Sequence, residues 1–146
     1  MALAFRNLTA NPSAPVGDWP TEAVQAALER GDLDHWQRLA ASIRREPWGR
    51  TARQVEEVLS HSRPYGVAEL MESVIALARN AVEESEREAV AVAVRDSITR
   101  SGLSRSAFAS RIGTSASRLS TYATGKVVPS ATLMVRIQRL VEGPDR

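Results

Sequence analysis

Apolar residues along this chain recur at the three- and four-residue spacing of helices, and nowhere with the alternation of a strand. Ala23, Val24, Ala27 and Leu28 form a first stripe, and Gly31 stands where a helix C-terminus is expected. Trp36, Leu39, Ala40 and Ile43 form a second, with Asp32 or Asp34 as N-cap and Pro47 as the stop. Pro47, Trp48 and Gly49 read as a turn. Thr51 followed by Gln54 fits a capping box ahead of Val55, Val58 and Leu59. Arg63, Pro64, Tyr65 and Gly66 break the pattern again.

Residues 67–101 contain neither Gly nor Pro. Val67, Leu70, Met71, Val74, Ile75 and Ala78 mark the first apolar stripe of this stretch, and Ala89, Val92, Ala93 and Ile98 the last. Between them lies a polar run, residues 83–88, expected as a solvated helix face. The stretch predicts either one long connecting helix or two helices hinged near residues 80–86. The abundance of Ala, Glu and Arg favours the continuous form.

The C-terminal stretch carries closer punctuation. Ser104 is placed to cap a short helix over residues 105–112 with Phe108, Ala109 and Ile112 inward. Gly113 permits a tight turn with positive φ. Thr114 or Ser115 caps a second short helix, residues 116–123, with Leu119 and Tyr122 inward, and Gly125 ends it. Pro129 and Ser130 open a last helix bearing Leu133, Met134, Ile137 and Leu140. Two helices of this length around a Gly turn make a helix-turn-helix unit. The outer face of its second helix carries Ser117, Arg118 and Thr121 with no large apolar residue, which suits entry into a major groove.

Composition sharpens this picture. The formal net charge is +2 over 146 residues, but residues 1–86 carry nine Arg against thirteen Asp and Glu, while residues 87–146 carry ten Arg and Lys against four. A −4 half followed by a +6 half points to a polyanion meeting the second half only. Residues 1–18, broken by Pro12, Pro15 and Gly17, read as a loosely held arm. Residues 19–80 read as an N-terminal helical domain for dimerisation or partner binding, and residues 85–146 as the DNA-binding domain. The expected fold is all-α, the first domain joined to the second by the long helix.

The stretch from Gly102 to Ser130 resembles the lambda-repressor/Cro-like, or Xre, helix-turn-helix domains. It carries Leu103-Ser104, Phe108-Ala109, Gly113, Ser115, Leu119-Ser120, Gly125 and Pro129-Ser130 at the family's spacing. It departs where Arg105 replaces a Gln, Ala123 replaces a Glu, and Ala116 and Ser117 stand where relatives have Gln or Arg. The resemblance implies base contacts by Ser117, Arg118 and Thr121, with a methyl contact from Ala116, and phosphate contacts by Ser104, Arg105, Ser115 and Lys126. Side-chain readout by this helix is thin, which leaves DNA shape or the N-terminal half to supply selectivity. The resemblance also implies a homodimer on a palindromic operator of double-stranded DNA.

The function expected is a sequence-specific transcriptional regulator, a repressor. The competing expectations are an antitoxin or adaptor whose acidic helical half binds a protein partner (a toxin), and a helical interaction module that binds no DNA. Trp19, Trp36 and Trp48 are expected as packing residues, with an exposed partner-binding patch as the alternative. The stripe Leu70, Met71, Val74, Ile75, Ala78 and Val82 suits either the chain's own core or a second copy. No catalytic, metal or cofactor site is expected: the chain has no Cys, and His35 and His61 lack partners at ligand spacing. No window spans a membrane and no secretory signal stands out, so the expected location is cytoplasmic, on the nucleoid when bound.

Overall fold

The computed structural model describes residues 11–143. A 3-10 turn at Val16–Asp18 precedes seven helices: α1 (Thr21–Arg30), α2 (Leu33–Arg45), α3 (Arg50–Leu59), α4 (Val67–Ser101), α5 (Arg105–Ile112), α6 (Ala116–Thr124) and α7 (Ala131–Glu142). No strand occurs among the described residues. The fold is all-α, and α4 is one continuous helix that connects the N-terminal helices to the C-terminal bundle. Two compact units divide between Ala81 and Val82.

In the first unit α1 packs against α2 and α3. Their stripes meet Val67, Ala68, Met71 and Ile75 of α4 in one core that also encloses Trp19. Fully burying one such aliphatic side chain is worth about 1.5–3 kcal/mol. Gly31 ends α1 with extended backbone (φ −78°), and a Cβ there would sit 2.3 Å from the Ala27 carbonyl oxygen. The close approach, rather than left-handed backbone, calls for glycine. That carbonyl accepts from the Gly31 N–H at 2.9 Å and from the Trp36 indole at 3.0 Å, which ties α2 to the end of α1. Of the three tryptophans, Trp19 is buried and Trp36 packs partly buried against the core. Trp48, expected as a packing residue, is 47% exposed with the Arg79 guanidinium over its ring.

The local signals met different fates. Asp32 caps α2 as expected, accepting from Asp34 and His35 N–H, and His35 completes the box through Nδ1. The capping box expected at Thr51 and Gln54 does not form: α3 starts at Arg50 behind Gly49, with no side-chain cap. Both residues are buried. Thr51 pairs its hydroxyl with that of Ser42 at 2.8 Å, and the Gln54 amide donates to the Trp19 carbonyl at 2.8 Å. The buried Thr51 hydroxyl and Gln54 amide N–H thus find protein partners, whereas an exposed helix end can use water; the Gln54 Oε1 has no such partner among the described residues.

Of the arm expected over residues 1–18, residues 1–10 lie outside the described residues. Residues 11–18 are held in place. Arg38 donates to the carbonyls of Pro12 and Ala14, both at 2.9 Å, and Arg50 to that of Gly17 at 2.7 Å, while Val16 is buried. Carbonyls in a Pro-broken segment have no helical donors, and two guanidinium groups supply them.

The start of α4 is fastened to α3 by Arg79, which pairs with Glu56 at 2.6 Å and also donates to the Pro47 carbonyl. Arg63 pairs with Glu72. Met71 and Ile75 are buried and Val74 and Ala78 are partly so, and these four belong to the unit's own core. Leu70 and Leu77, seven residues apart and therefore on one face, are exposed (43% and 69%). Residues 83–88 are all exposed, as a solvated face requires. Further on, Ala91, Val94 and Ile98 are buried, whereas Ala89, Val92 and Ala93 are exposed. Residues 89–94 are all Ala or Val, so their periodicity leaves the buried face open and the packing of α5 to α7 selects it.

Two outcomes follow for this unit. Gln54→Ala removes a buried cross-element hydrogen bond and leaves a small void, and urea titration of the full chain should show a loss of about 2 kcal/mol in this unit's transition. The backbone N–H of His35 holds the Asp32 carboxyl below its usual range, with side-chain contact to His35 and the Asp34 N–H acting the same way. A depressed folded value makes this contribution complete above the unfolded value of about 3.9 and lost as pH falls through the folded one. Asp32→Asn should therefore flatten the thermal stability profile below about pH 4, and an unchanged profile would show that the cap is electrostatically silent.

Candidate nucleic-acid interface

The C-terminal unit is built from short helices around one small core. Val94 and Ile98 of α4, Phe108, Ala109 and Ile112 of α5, Leu119, Tyr122 and Ala123 of α6, and Leu133 and Ile137 of α7 form it. Helix α5 packs on both α6 and α7. Leu103, Met134 and Leu140 pack partly buried against the same core.

Three of its helices open on a serine. Ser104 accepts from the Ala107 N–H, Ser115 from the Arg118 N–H and Ser130 from the Leu133 N–H, each at 3.1 Å. A cap of this kind satisfies the third N–H of the helix and leaves the first two facing outward with the positive end of the dipole. Between α5 and α6, Gly113 is left-handed (φ 80°). Its N–H bonds back to Ser110 and the Thr114 N–H to Ala109, at 3.2 and 2.9 Å. This is the double closure of a Schellman turn, which turns the chain sharply into α6. Helix α6 itself ends on left-handed Gly125, after which the Val127 N–H reaches back to Thr121 at 3.2 Å.

Each residue expected at the interface has a definite place. Ser104, Arg105, Ser115, Ala116, Ser117, Arg118 and Lys126 are exposed, and Thr121 is half-buried. They lie at the starts of α5 and α6, along α6 and just past its end. Their polar groups are not equally available. The Thr121 hydroxyl donates to the Arg118 carbonyl at 2.6 Å, and the Ser117 hydroxyl lies 3.2 Å from that of Ser115. The Arg118 side chain has no bond or ion pair among the described residues. Arg118 is therefore the one residue of α6 with five N–H donors available for a ligand.

The structure adds residues that periodicity did not single out. Arg95 of α4 donates to the Ala123 carbonyl at 2.7 Å, near the C-terminus of α6, and is itself paired with Glu88 at 3.1 Å. Arg136 of α7 donates to the Ile112 carbonyl at 3.4 Å, at the end of α5. Two guanidinium groups thus cap the C-terminal ends of the two helices of the motif, where carbonyls lack partners and the dipole is negative. Arg111 is exposed on α5 and Ser120 on α6. The charge pattern would have pointed to this face: residues 97–141 hold seven Arg and Lys and not one Asp or Glu. A surface of one sign over 45 residues attracts a polyanion at long range.

No group of three or more His, Asp or Glu able to hold a metal ion occurs among the described residues. No helix there is long and apolar enough to cross a membrane.

No curated protein and no solved structure matches the chain. Residues 79–145 match a family model described as a helix-turn-helix domain. That span takes in the end of α4, the serine-capped helices, the Gly113 turn and the acid-free stretch, and leaves residues 1–78 outside it. The C-terminal part of this chain, residues 79–145, is a helix-turn-helix DNA-binding domain of the Xre/Cro type.

Proposed function

We propose that the protein is a sequence-specific transcriptional regulator, a repressor that binds a palindromic operator as a dimer. The observation that carries this is α6: serine-capped, short, free of large outward apolar groups, and set in a stretch without a single carboxylate. In this reading Arg118 supplies the strongest base contact, with its fork on a guanine edge, and Ala116, Ser117 and Thr121 add close small contacts. Ser104, Arg105, Ser115 and Lys126 hold phosphates and fix the register. Arg95 is a positioning residue that holds the end of α6. Exposed Leu70 and Leu77 on one face of α4 support pairing through the first unit. The protein then works in the cytoplasm, on the nucleoid.

A second reading has its own observation. Leu33, Trp48 and Tyr65 of the first unit are exposed at 60%, 47% and 102%. Large apolar groups in water favour a protein partner, so an antitoxin or adaptor role, with DNA binding as autoregulation, stands beside the first.

The decisive experiment is a titration against the protein's own upstream DNA and unrelated DNA at two salt concentrations. Preference for the upstream DNA that survives the higher salt is expected. Equal binding, erased by salt, would reduce the domain to a non-specific electrostatic patch. Arg118→Ala should cost tenfold to a hundredfold in affinity, about 1–3 kcal/mol, and relax selectivity at one operator position. Lys126→Ala should weaken all sequences alike and lower the salt slope by about one. Arg95→Gln should weaken binding with the slope unchanged, because it touches α6 and not phosphate. A lowered slope in that variant would make Arg95 a phosphate contact instead.

A further inference from the structure

The first unit carries net negative charge, yet its basic residues gather in one place. Between positions 38 and 53 there are five Arg and a single acid, Glu46. Three of these, Arg38, Arg45 and Arg50, line an open surface pocket of about 470 Å³ between α2, the start of α3 and the segment Pro15 to Gly17. Its volume lies in the range of small-ligand pockets, roughly 300–1,000 Å³.

The three guanidinium groups have no counter-ion among the described residues. None of them pairs with a carboxylate there, although the unit has acids enough: Glu56 is engaged by Arg79 and Glu72 by Arg63. What holds Arg38 and Arg50 is neutral, the carbonyls of Pro12, Ala14 and Gly17, and Arg38 also lies over the Trp19 ring at 5.1 Å. Those bonds take two of five N–H donors on Arg38 and one on Arg50, so most of the donor capacity and all of the charge remain. Arg45 has no such bond among the described residues. Arg50 and Thr51 are also the first residues of α3, whose N-terminus no side chain caps. The wall is completed by apolar Pro15, Val16 and Ala41 and by the Ser42 and Thr51 hydroxyl pair.

We infer that this pocket is a binding site for a small organic dianion, a phosphate monoester or a dicarboxylate. Three guanidinium groups against the one carboxylate of Glu46 leave two positive charges on the wall, which sets the charge of the ligand. Guanidinium forks fit phosphate and carboxylate in a bidentate way, and two of the three are pre-positioned, which lowers the cost of ordering them on binding. The apolar wall selects an organic anion over a bare ion. Because the segment Pro15 to Gly17 forms one side, occupancy ties it more firmly to α2 and α3 and stabilises the first unit.

Calorimetric titration and thermal unfolding of the full-length protein, at constant ionic strength, test this with phenyl phosphate, succinate, chloride and phenol. Saturable binding of phenyl phosphate or of succinate, with a rise in the first unit's unfolding temperature, is expected, and the two arms tell the phosphate source from the carboxylate one. Phosphate also attracts the basic C-terminal unit, so the variants decide the location. Arg45→Gln and Arg50→Gln should each weaken binding about tenfold. Arg45 holds no internal bond among the described residues, so its variant should unfold at the wild-type temperature without ligand. Binding that both variants leave intact, effects that chloride reproduces, or no saturable binding of either dianion would overturn the inference. So would a variant that loses duplex DNA affinity while neither dianion binds the wild type, since that would make the cluster a DNA contact. DNA binding by the C-terminal unit is measured separately, so failure here leaves that reading untouched.

Discussion

Short helices do not hold themselves in water. Helices α5 and α6 have eight and nine residues, below the roughly 12–15 at which even strong helix formers become marginal alone. Their existence rests on burial of Phe108, Ile112, Leu119 and Tyr122 against Val94 and Ile98 of α4 and Leu133 and Ile137 of α7. The same holds for α1 and α3, ten residues each, whose stripes close over Trp19, Met71 and Ile75. Among the described residues, helix α4 alone lends buried residues to both cores, four to the first and two to the second. Its exposed middle, residues 83–88, lends none. A long helix of Ala, Glu and Arg can afford that gap, because good propagation keeps it formed where nothing covers it.

Capping, more than packing, sets the ends of the two helices of the motif, and two arginines reinforce the glycine C-caps. Arg95 and Arg136 reach carbonyls at or near the C-termini of α6 and α5, and serines hold the N-termini. A helix secured at both ends through its backbone keeps its outer side chains free. On α6 the hydroxyls of Ser117 and Thr121 are drawn into local bonds, so the available polar chemistry concentrates in Arg118, the Ser120 hydroxyl and the backbone N–H groups of the first turn. The first unit uses guanidinium groups differently, to bind carbonyls of the segment before α1 and to line a pocket where they have no counter-ion among the described residues.

The C-terminal motif is largely legible in the sequence, because its signals are local. A serine cap is a bond over three residues, a left-handed glycine is a property of one residue, and the inward stripe of a short helix depends on spacing alone. Ser104, Ser115, Gly113, Gly125, Phe108 and Leu119 each act within a turn or two of their own position. The exposed placement of Arg105 and Arg118 follows from the same spacing, while Lys126 lies exposed just past the end of α6. Arg95 was not legible, since its partner Ala123 lies 28 residues away, and neither was Arg136, 24 residues from Ile112.

By itself, then, the sequence determined the all-α class, the caps and turn of the helix-turn-helix, the polar middle of α4 and the separation of acidic from basic halves. These depend on neighbours in the chain and on summed charge. Tertiary structure alone decided the rest. It drew Thr51 and Gln54 away from a cap to distant partners, left Trp48 half-exposed beneath Arg79, held residues 11–18 through Arg38 and Arg50, and chose Ala91 and Val94 over Ala89 and Val92 as the buried face of α4. In each case a polar or apolar group had two acceptable local answers, and the partner that settled it came from elsewhere in the chain.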